Sequence, residues 1–266
     1  MTFLFEKKHF SSFRIIIFGF MLVIFAGALL LTLPIATTDG HGALFTDALF
    51  TSTSAVCVTG LVLHDTATYW APFGQFIIML LIQIGGMGVV TVAVAIAVVS
   101  GRKIGLMQRS TMQEAIAAPQ VGGIVRLTEF ILKMTITIEG LGAAVMAPVF
   151  CREFGFLKGI WYAVFHSVSA FCNAGFDLMG VRAAFSSLTT YAGQPVINLA
   201  IMFLIVFGGI GFLTWEDITV HGLHFKKYRM QSKVILSVTG VLILIPAVYF
   251  YFCEFSKGAW ADFSVP

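Results

Sequence analysis

The sequence predicts an all-α membrane protein built from repeated units, each with a transmembrane helix, a re-entrant short helix with its following loop, and a second transmembrane helix. Three observations support this fold class: the composition, the length of the apolar runs and an internal repeat. The 266 residues are 58% hydrophobic and 11% charged, and their mean hydropathy is +0.94. Soluble domains usually carry about 25% charged residues, so too few polar side chains remain here to cover a soluble surface.

The same composition excludes several other classes of protein. Disordered chains are rich in charge, and disulfide scaffolds are rich in Cys. This chain has little charge and only 4 Cys. Its net charge of +3 is too small for an interface that follows nucleic-acid phosphates, so no nucleic-acid partner is expected. The expected surroundings are the lipid bilayer.

The apolar runs are long enough to form membrane-spanning helices. A helix needs about 20 residues to cross about 30 Å of hydrocarbon. Continuous runs rich in Leu, Ile, Val and Phe occupy residues 15–35, 72–99, 127–150, 195–214 and 234–252. A transmembrane barrel would instead show alternating segments of about ten residues. The runs therefore predict five spanning helices.

The distribution of positive charge predicts the orientation, because Lys and Arg favour the cytoplasmic side. Segments 1–14, 100–126 and 215–233 contain eleven of the 16 Lys and Arg residues. Segment 36–71 contains none, and segment 151–194 contains three. We therefore expect a multi-pass protein of the cell membrane with a cytoplasmic N-terminus and, after five crossings, an external C-terminus.

Two short apolar stretches in the external segments belong to an internal repeat. Stretches 44–53 and 160–169 are too short to span, which is typical of re-entrant segments. Each leads into a similar motif, SAVCVTG at 54–60 and SAFCNAG at 169–175, in which Ser, Ala, Cys and Gly coincide. The order of span, short helix, loop ending in Gly, and second span therefore occurs twice.

The second span of each repeat carries a Gly-Gly-x-Gly motif. Its glycines are Gly85, Gly86 and Gly88 in the first repeat, and Gly208, Gly209 and Gly211 in the second. Small residues permit close packing of helices in lipid. Glycine also permits a helix to bend near the loop. The sequence supports these two interpretations about equally.

The repeats also predict domain boundaries. We expect repeat 1 at 14–100, a cytoplasmic connector at 101–126, repeat 2 at 127–219, a connector at 220–233 and the start of an incomplete repeat 3 at 234–266. Residues 101–123 are expected to form an interfacial amphipathic helix or to contact a regulatory partner. The third copy reaches Trp260 without a third loop motif. Because repeats need neighbours to bury their shared core, we expect either a truncated chain or further chains that supply the rest.

The repeated loop has the properties of a cation site. Non-helical backbone at membrane depth is tolerated where it is buried in protein or lines a water-filled cavity. Gly60 and Gly175 permit successive carbonyls to turn toward one axis, and the preceding short helices direct their negative C-terminal ends to the same place. Neither loop contains Lys or Arg. The expected ligand is therefore a cation such as K⁺, held through backbone carbonyls alone and without a cofactor.

Four stretches resemble one transporter superfamily. They are TSAVCVTGL at 53–61, LIQIGGMG at 81–88, FHSVSAFCNAGFD at 165–177 and FGGIGFLT at 207–214. Over nearly the whole chain they are similar to the Trk/Ktr/HKT superfamily of K⁺ transporters, most closely to its bacterial KtrB membrane subunit. The resemblance implies that the short helices are pore helices and that the loops are selectivity filters. The implied K⁺ ligands are the carbonyls of Cys57, Val58, Thr59 and Gly60, and of Cys172, Asn173, Ala174 and Gly175.

The resemblance also implies partners. Proteins of this superfamily have four such repeats in one polypeptide, form a homodimer in the membrane and bind a cytosolic nucleotide-binding regulatory subunit. The expected function is a membrane-embedded, ion-conducting subunit of a potassium uptake transporter, with sodium as a second candidate ion. A truncated non-conducting fragment or scaffold is the first alternative. An intramembrane enzyme is the second, but no span presents paired acids or His at catalytic spacing, so we expect no enzyme.

The two repeated cysteines have an alternative interpretation. Cys57 or Cys172 with His64 or His166 would give a metal site. The spacing is not that of a zinc site, however. A small buried side chain beside the loop is therefore the stronger interpretation.

The acidic residues outside the repeats' loops are candidates for the entrance to the pathway. Asp39, Asp47 and Asp65 lie in an external segment without Lys or Arg, where they either raise the local cation concentration or belong to a solvated loop. Asp177, two residues after Gly175, is the strongest candidate for the outer mouth. In the third span, Glu139 is expected to face the bundle interior, because an ionisable group at that depth is costly in lipid.

Overall fold

The computed structural model describes residues 12–99, 105–115 and 123–254, and its regular structure there is helical. The ten α-helices are α1 Ser12–Leu31, α2 Phe45–Val56, α3 Pro72–Met87, α4 Val89–Val99, α5 Leu106–Ala115, α6 Ile124–Phe154, α7 Phe156–Phe171, α8 Pro195–Ile210, α9 Phe212–His221 and α10 Met230–Tyr249. One isolated bridge joins Thr37 to Trp70. The all-α prediction is confirmed.

Three helices are long and apolar enough to cross a membrane: Ser12–Leu31, Val125–Phe154 and Met230–Cys253. The two other expected spans are not continuous helices. The axis turns by 96° between α3 and α4, and by 93° between α8 and α9. Each break lies at a glycine with a positive φ, 82° at Gly88 and 85° at Gly211, which is incompatible with a helix.

Two short helices enter the bundle from the expected positions. Helix α2 packs on α1, and α7 packs on α6 and α8. Both are longer than the predicted stretches 44–53 and 160–169, since they continue to Val56 and Phe171. Helix α7 begins directly after α6, separated from it only by Gly155 with a φ of 81°.

The core lies around α2 and α7 and includes the loops that follow them. Its largest fully buried side chains include Trp70, Phe150, Phe165 and Tyr191. Polar residues are buried there too, among them Ser52 and Ser167. The best-packed part of the described chain is therefore the surroundings of the short helices rather than the ends of the spans.

The segment between α9 and α10 is attached to α9 through one buried acid, Asp217. The Oδ2 atom of Asp217 in α9 accepts hydrogen bonds from the Ser232 hydroxyl at 2.6 Å and from the Arg229 N–H at 3.0 Å. This places the start of α10 beside α9. The rest of α10 is largely exposed, and the residues that would open a third short helix, including Trp260, lie outside the described residues.

Part of the first connector is helical, since α5 occupies 106–115. The remainder of the expected amphipathic segment, 101–104 and 116–122, lies outside the described residues. On the neighbouring turn of α6, Lys133 and Glu129 form an ion pair at 2.7 Å with the expected spacing of four residues.

Candidate functional site

The loops after α2 and α7 have the same backbone conformation. Immediately after the short helix and one Cys, the backbone is left-handed, with φ of 57° at Val58 and 58° at Asn173. The glycines two positions later are left-handed as well, with φ of 71° at Gly60 and 75° at Gly175. Positive φ is unfavourable for a non-glycine residue, above all for a β-branched one. Both loops are therefore held in place by their surroundings.

Backbone hydrogen bonds fix each loop to its own short helix. The Thr59 N–H donates to the Ser54 carbonyl at 3.0 Å, and the Ala174 N–H donates to the Ser169 carbonyl at 2.8 Å. Between the described loop residues and the rest of the described chain, no backbone hydrogen bond ends on a carbonyl of 57–60 or 172–175. The N–H groups thus anchor the loops, while their carbonyl oxygens remain available to a ligand.

The two loops meet at the predicted glycines. A Cβ atom added at Gly60 would lie 2.5 Å from the Ala174 carbonyl oxygen and 3.3 Å from the Gly175 Cα. A Cβ added at Gly175 would lie 3.5 Å from the Gly60 Cα. The structure therefore brings the two loop motifs together, and a side chain at Gly60 would force them apart.

The glycine motifs of the second spans have two separate roles. A Cβ at Gly85 would lie 2.2 Å from the Val56 carbonyl oxygen, and one at Gly208 would lie 1.7 Å from the Phe171 carbonyl oxygen. These glycines let the second span pack directly on the C-terminal end of the short helix. The last glycines of the motifs, described above, form the bends. In the structure, close packing is found at Gly85 and Gly208, and the bends are found at Gly88 and Gly211.

The middle glycines of the motifs differ between repeats. A Cβ at Gly86 would lie 2.5 Å from the Cys172 Sγ, whereas the nearest atom to a Cβ at Gly209 is the Asn173 Nδ2, at 4.0 Å. Gly86 is therefore a contact between the repeats, because it belongs to the first and Cys172 to the second.

Two serines that the sequence analysis missed attach the short helices to the first spans. The Ser52 hydroxyl donates to the Ile24 carbonyl at 2.8 Å, and the Ser167 hydroxyl donates to the Glu139 carbonyl at 2.7 Å. Each hydroxyl packs closely on a glycine of the first span. A Cβ added at Gly27 would lie 2.5 Å from the Ser52 Oγ, and one added at Gly142 would lie 2.6 Å from the Ser167 Oγ. The signal was present in the sequence, since Ser and Gly recur in the same register in both repeats.

The metal-site alternative for the cysteines finds no support in the described residues, where no group of three potential His, Cys, Asp or Glu ligands occurs. His64 is bonded to Asp47 at 2.9 Å. The two ring nitrogens of His166 contact the Tyr162 carbonyl at 2.7 Å and the Leu178 N–H at 3.3 Å. Both imidazoles therefore have structural partners.

The acids that the sequence predicts to be external are not equivalent. A hydrogen bond from the Thr37 hydroxyl holds the pKa of Asp39 below its usual value, and a hydrogen bond from His64 does the same for Asp47. Both carboxylates are thus ionised at neutral pH. Asp65 departs from both expectations for it, because it is neither an exposed mouth residue nor part of a solvated loop: its side chain is buried and bonded to backbone N–H groups.

Asp177 lines a cavity of about 260 Å³ that also contacts Asn173 and Gly175 of the second loop. Its Oδ1 accepts a hydrogen bond from the Met179 N–H at 2.8 Å. The nearby external cation Arg182 is paired with Glu153 and lies over the ring of Tyr191.

Tyr191 completes that cluster by donating its hydroxyl to Glu153. Burial, followed by the hydrogen bond to Glu153, raises the pKa of Tyr191, so the hydroxyl keeps its proton. The carboxylate of Glu153 neutralises the positive charge of Arg182 locally. Arg182 therefore does not offset the negative charge of the Asp177 carboxylate beside the second loop.

Glu139 has a partner in the neighbouring repeat. Its carboxyl group lies beside the Gln83 side chain of α3, and its Oε1 lies 4.0 Å from the Cys172 Sγ. The expectation that it faces the bundle interior agrees with this position, directly beside the start of the second loop.

Sequence comparisons agree with this architecture. The family model described as TrkH, cation transport protein, matches residues 6–246. The potassium/sodium uptake protein NtpJ of Enterococcus hirae is 40% identical over 248 residues, which are 93% of this chain and 54% of that protein. The Ktr system potassium uptake protein B of Bacillus subtilis is 39% identical over 249 residues, and its counterpart from Vibrio alginolyticus is 34% identical over 244 residues.

The matches and the apolar helices support a multi-pass membrane protein, and the relatives are named as uptake proteins for potassium or for potassium and sodium. The chain spans about half the length of the curated relatives it matches, 54% of the first two and 52% of the third. The family model covers most of this chain, including both loop motifs and both bent helix pairs. The chain therefore belongs to the TrkH family of cation transport proteins, within the Trk/Ktr superfamily.

Proposed function

We propose that this chain forms the first two filter segments of the ion-conducting subunit of a potassium uptake transporter, with sodium as a second candidate ion. The observation that carries the proposal is the meeting of Gly60 and Gly175, each at the end of a loop with the same left-handed positions. Two loops of equal shape that converge from two repeats are what a shared pathway requires.

The chemistry of the loops supports a cation as the ligand. K⁺ is a weakly hydrated ion whose water shell is replaced by rings of backbone carbonyls in known filters. The backbone carbonyl oxygens available as ligands are those of Cys57, Val58, Thr59, Gly60, Cys172, Asn173, Ala174 and Gly175. The C-terminal ends of α2 and α7 add partial negative charge, and Asp177 is suited to attract cations at the outer mouth.

The proposal extends to the whole assembly. We assign the repeats to 14–100 and 127–219, with the start of a third at 234–266, and the N-terminus to the cytoplasm. The relatives named as parts of Ktr potassium uptake systems are about twice as long as this chain. A homodimer in the membrane and a cytosolic nucleotide-binding regulatory subunit are the proposed partners. Because two loops leave half of a fourfold carbonyl cage open, selective conduction requires further filter segments.

Ion uptake in a bacterial strain without its own K⁺ uptake systems tests the proposal. The chain is expressed alone and as a chimaera joined to the remaining half of the Bacillus subtilis relative. We expect K⁺ uptake from the chimaera and little or none from the chain alone. Selective K⁺ flux through the purified chain in liposomes would show that copies of this chain build the pathway by themselves. A chimaera that reaches the membrane but carries no ions would contradict the proposed function.

Glycine substitutions test the site itself. Gly60→Ala places a methyl group 2.5 Å from the Ala174 carbonyl and should abolish uptake. Gly175→Ala makes only an ordinary contact with the Gly60 Cα, at 3.5 Å, and should affect uptake less. Gly40→Ala is the matched control, because Gly40 has a φ of 72° but no atom within 4 Å of the added Cβ. Unchanged uptake by the Gly60 variant would exclude this loop from the pathway.

A further inference from the structure

Asp65 links the external segments of the two repeats through a buried carboxylate. The side chain belongs to the first repeat and is only 9% exposed. Its Oδ1 accepts hydrogen bonds from the N–H groups of Ala67 at 3.0 Å and Thr68 at 3.1 Å, and from the Thr68 hydroxyl at 3.1 Å. Its Oδ2 accepts the N–H of Phe185 from the second repeat, at 2.9 Å. One oxygen of the carboxylate therefore accepts hydrogen bonds from the first repeat, and the other accepts one from the second repeat.

The second repeat leaves space for this carboxylate. Gly180 follows Gly175 by the same number of residues as Asp65 follows Gly60. A Cβ at Gly180 would lie 1.9 Å from both Asp65 oxygens. The position that carries an acid in one repeat is thus a glycine in the next, and the acid fills the place of the missing side chain.

The link from Asp65 to Phe185 leads to residues that line the cavity beside the second loop. Phe185 has a φ of 57°, and Ser187 has a φ of 49°. Left-handed backbone at two non-glycine residues persists only where surrounding contacts hold it. Ser187 lines the same cavity as Asn173 and Gly175. The Asp65 carboxylate therefore connects the external segment of the first repeat to the structure behind the second loop.

We propose that Asp65 is a positioning residue that sets the separation of the Gly60 and Gly175 loops and thereby the discrimination between K⁺ and Na⁺. Selectivity depends on the size of the carbonyl cage and on how rigidly its dipoles are placed. The direct contact at the glycines fixes one end of each loop relative to the other, and the carboxylate fixes the segments that follow. This inference rests on the proposed function, since it concerns the ions that pass the same loops.

Two substitutions break the link from opposite sides. Asp65→Asn keeps the size of the side chain, and its remaining oxygen can still accept from Ala67 and Thr68. Its amide then faces the Phe185 N–H, so that two donors oppose each other and the bond between repeats is lost. Gly180→Ala displaces the carboxylate sterically. Thr189→Val is the control, because it removes a hydrogen bond within the second external segment, from the Thr189 hydroxyl to the Ser186 carbonyl at 2.7 Å.

The measurement is the ratio of K⁺ to Na⁺ flux in liposomes containing the chimaera, together with the amount of protein incorporated. We expect Asp65→Asn and Gly180→Ala to lower the ratio several-fold while some flux remains, and Thr189→Val to leave the ratio unchanged. A merely structural role would lower the amount of protein and leave the ratio per molecule as it was.

If the two variants do not accumulate, Thr68→Val, which removes a single donor to the carboxylate, must shift the ratio in the same direction by a smaller factor. An unchanged ratio in the accumulating variants would overturn this inference and leave the proposed function intact. A wild-type chimaera without selective K⁺ flux would overturn the proposed function instead.

Discussion

In the first repeat, α3 contacts α7, the short helix of the second repeat, whereas α8, the corresponding helix of the second repeat, borders an open apolar groove within the described structure. The Trp161 Nε1–H of α7 donates to the Gln75 Oε1 at 2.9 Å, and its ring lies 6.5 Å from that of Phe76. On α8, Leu199 and Phe203 are 51% and 61% exposed, and they line an apolar groove of about 460 Å³ beside α6.

The two loops nevertheless have the same backbone conformation. Their φ values agree within a few degrees, and the bonds from Ser52 and Ser167 to the first spans recur in both repeats. The loop conformation is thus determined by contacts inside each repeat, which do not depend on whether a neighbour covers the second span. Contacts between repeats are made partly by the repeated motifs, as at Gly60 and Gly175, and partly by residues that occur in one repeat only, such as Trp161 and Asp65. The predictions below test this comparison of the two repeats, from the largest effect to the smallest.

The largest effect is expected where a second span touches its own short helix. Gly208→Ala places a Cβ 1.7 Å from the Phe171 carbonyl oxygen, a backbone atom that cannot rotate away. Overpacking of this kind costs about 3 kcal/mol or more. We expect a large fall in the thermal unfolding midpoint of the purified protein in detergent, and a similar fall for Gly85→Ala in the first repeat.

Gly209→Ala is the control, because the nearest atom to its added Cβ lies 4.0 Å away. Its counterpart Gly86→Ala meets the Cys172 Sγ at 2.5 Å and should destabilise the protein. Equal unfolding midpoints for these two variants would show that the contact between Gly86 and Cys172 does not limit the size of the side chain at this position.

A smaller effect is expected at the contact that covers α3. Trp161→Phe removes the N–H donor and leaves the Gln75 oxygen without it in a buried position, which costs about 1–3 kcal/mol. A double-mutant cycle with Gln75→Leu isolates the bond. If the loss caused by Trp161→Phe is the same in both backgrounds, the tryptophan stabilises the protein by packing alone.

Glu139 tests a position that differs in polarity between repeats, because its counterpart in α1 is Ile24. Glu139→Leu removes the partner of the Gln83 amide and should cost about 1 kcal/mol, since both side chains are half-buried. Glu139→Gln retains a hydrogen-bonding group and should be nearly as stable as the wild type. If Glu139→Leu and Glu139→Gln had the same unfolding midpoint, the polar contact with Gln83 would not contribute to stability.

The sequence predicted the elements whose signals are local. The five apolar runs, the short helices and the paired loop motifs follow from hydropathy and from the recurrence of Ser, Cys and Gly. The left-handed glycines Gly60 and Gly175 were identified in the same way. The motif in the second spans was also recognised, although its separation into packing glycines and the bends at Gly88 and Gly211 was not.

The contacts between repeats that lie outside the repeated motifs could not be predicted, because each joins residues far apart in the chain that occur in one repeat only. Asp65 was expected in an exposed loop, since an acid in an external segment without Lys or Arg is ordinarily solvated. Its burial depends on the absence of a side chain at Gly180 and on the N–H of Phe185, which only the folded backbone brings near. A single sequence gives no periodic signal for such a pair.

The smallest effect concerns the N-terminal halves of the short helices, where the first repeat has a hydrogen bond between a carboxylate and an imidazole and the second repeat has an aromatic contact. Asp47 in the first turn of α2 is bonded to His64 at 2.9 Å, and the His64 ring stacks on Tyr69 at 3.9 Å. The corresponding residue of α7 is Tyr162, which is buried against Phe154. Only the first repeat should therefore show a pH-dependent contribution to stability at this position.

The sign of that contribution follows from the pKa of Asp47, which the hydrogen bond from His64 lowers in the folded protein. The stabilisation is complete above the unfolded-state pKa of Asp, about 3.9, and is lost as the pH falls through the lower folded value. Asp47→Asn should therefore be less stable than the wild type at pH 7, by about 0.5 kcal/mol as for other partly exposed pairs. The difference in unfolding midpoint should shrink as the pH falls below about 3.9. Tyr162→Phe is the matched change in the second repeat, and its effect should be constant over this range, because a phenol does not titrate there. A difference between wild type and Asp47→Asn that did not shrink as the pH fell below about 3.9 would assign the effect to packing and remove this distinction between the two repeats.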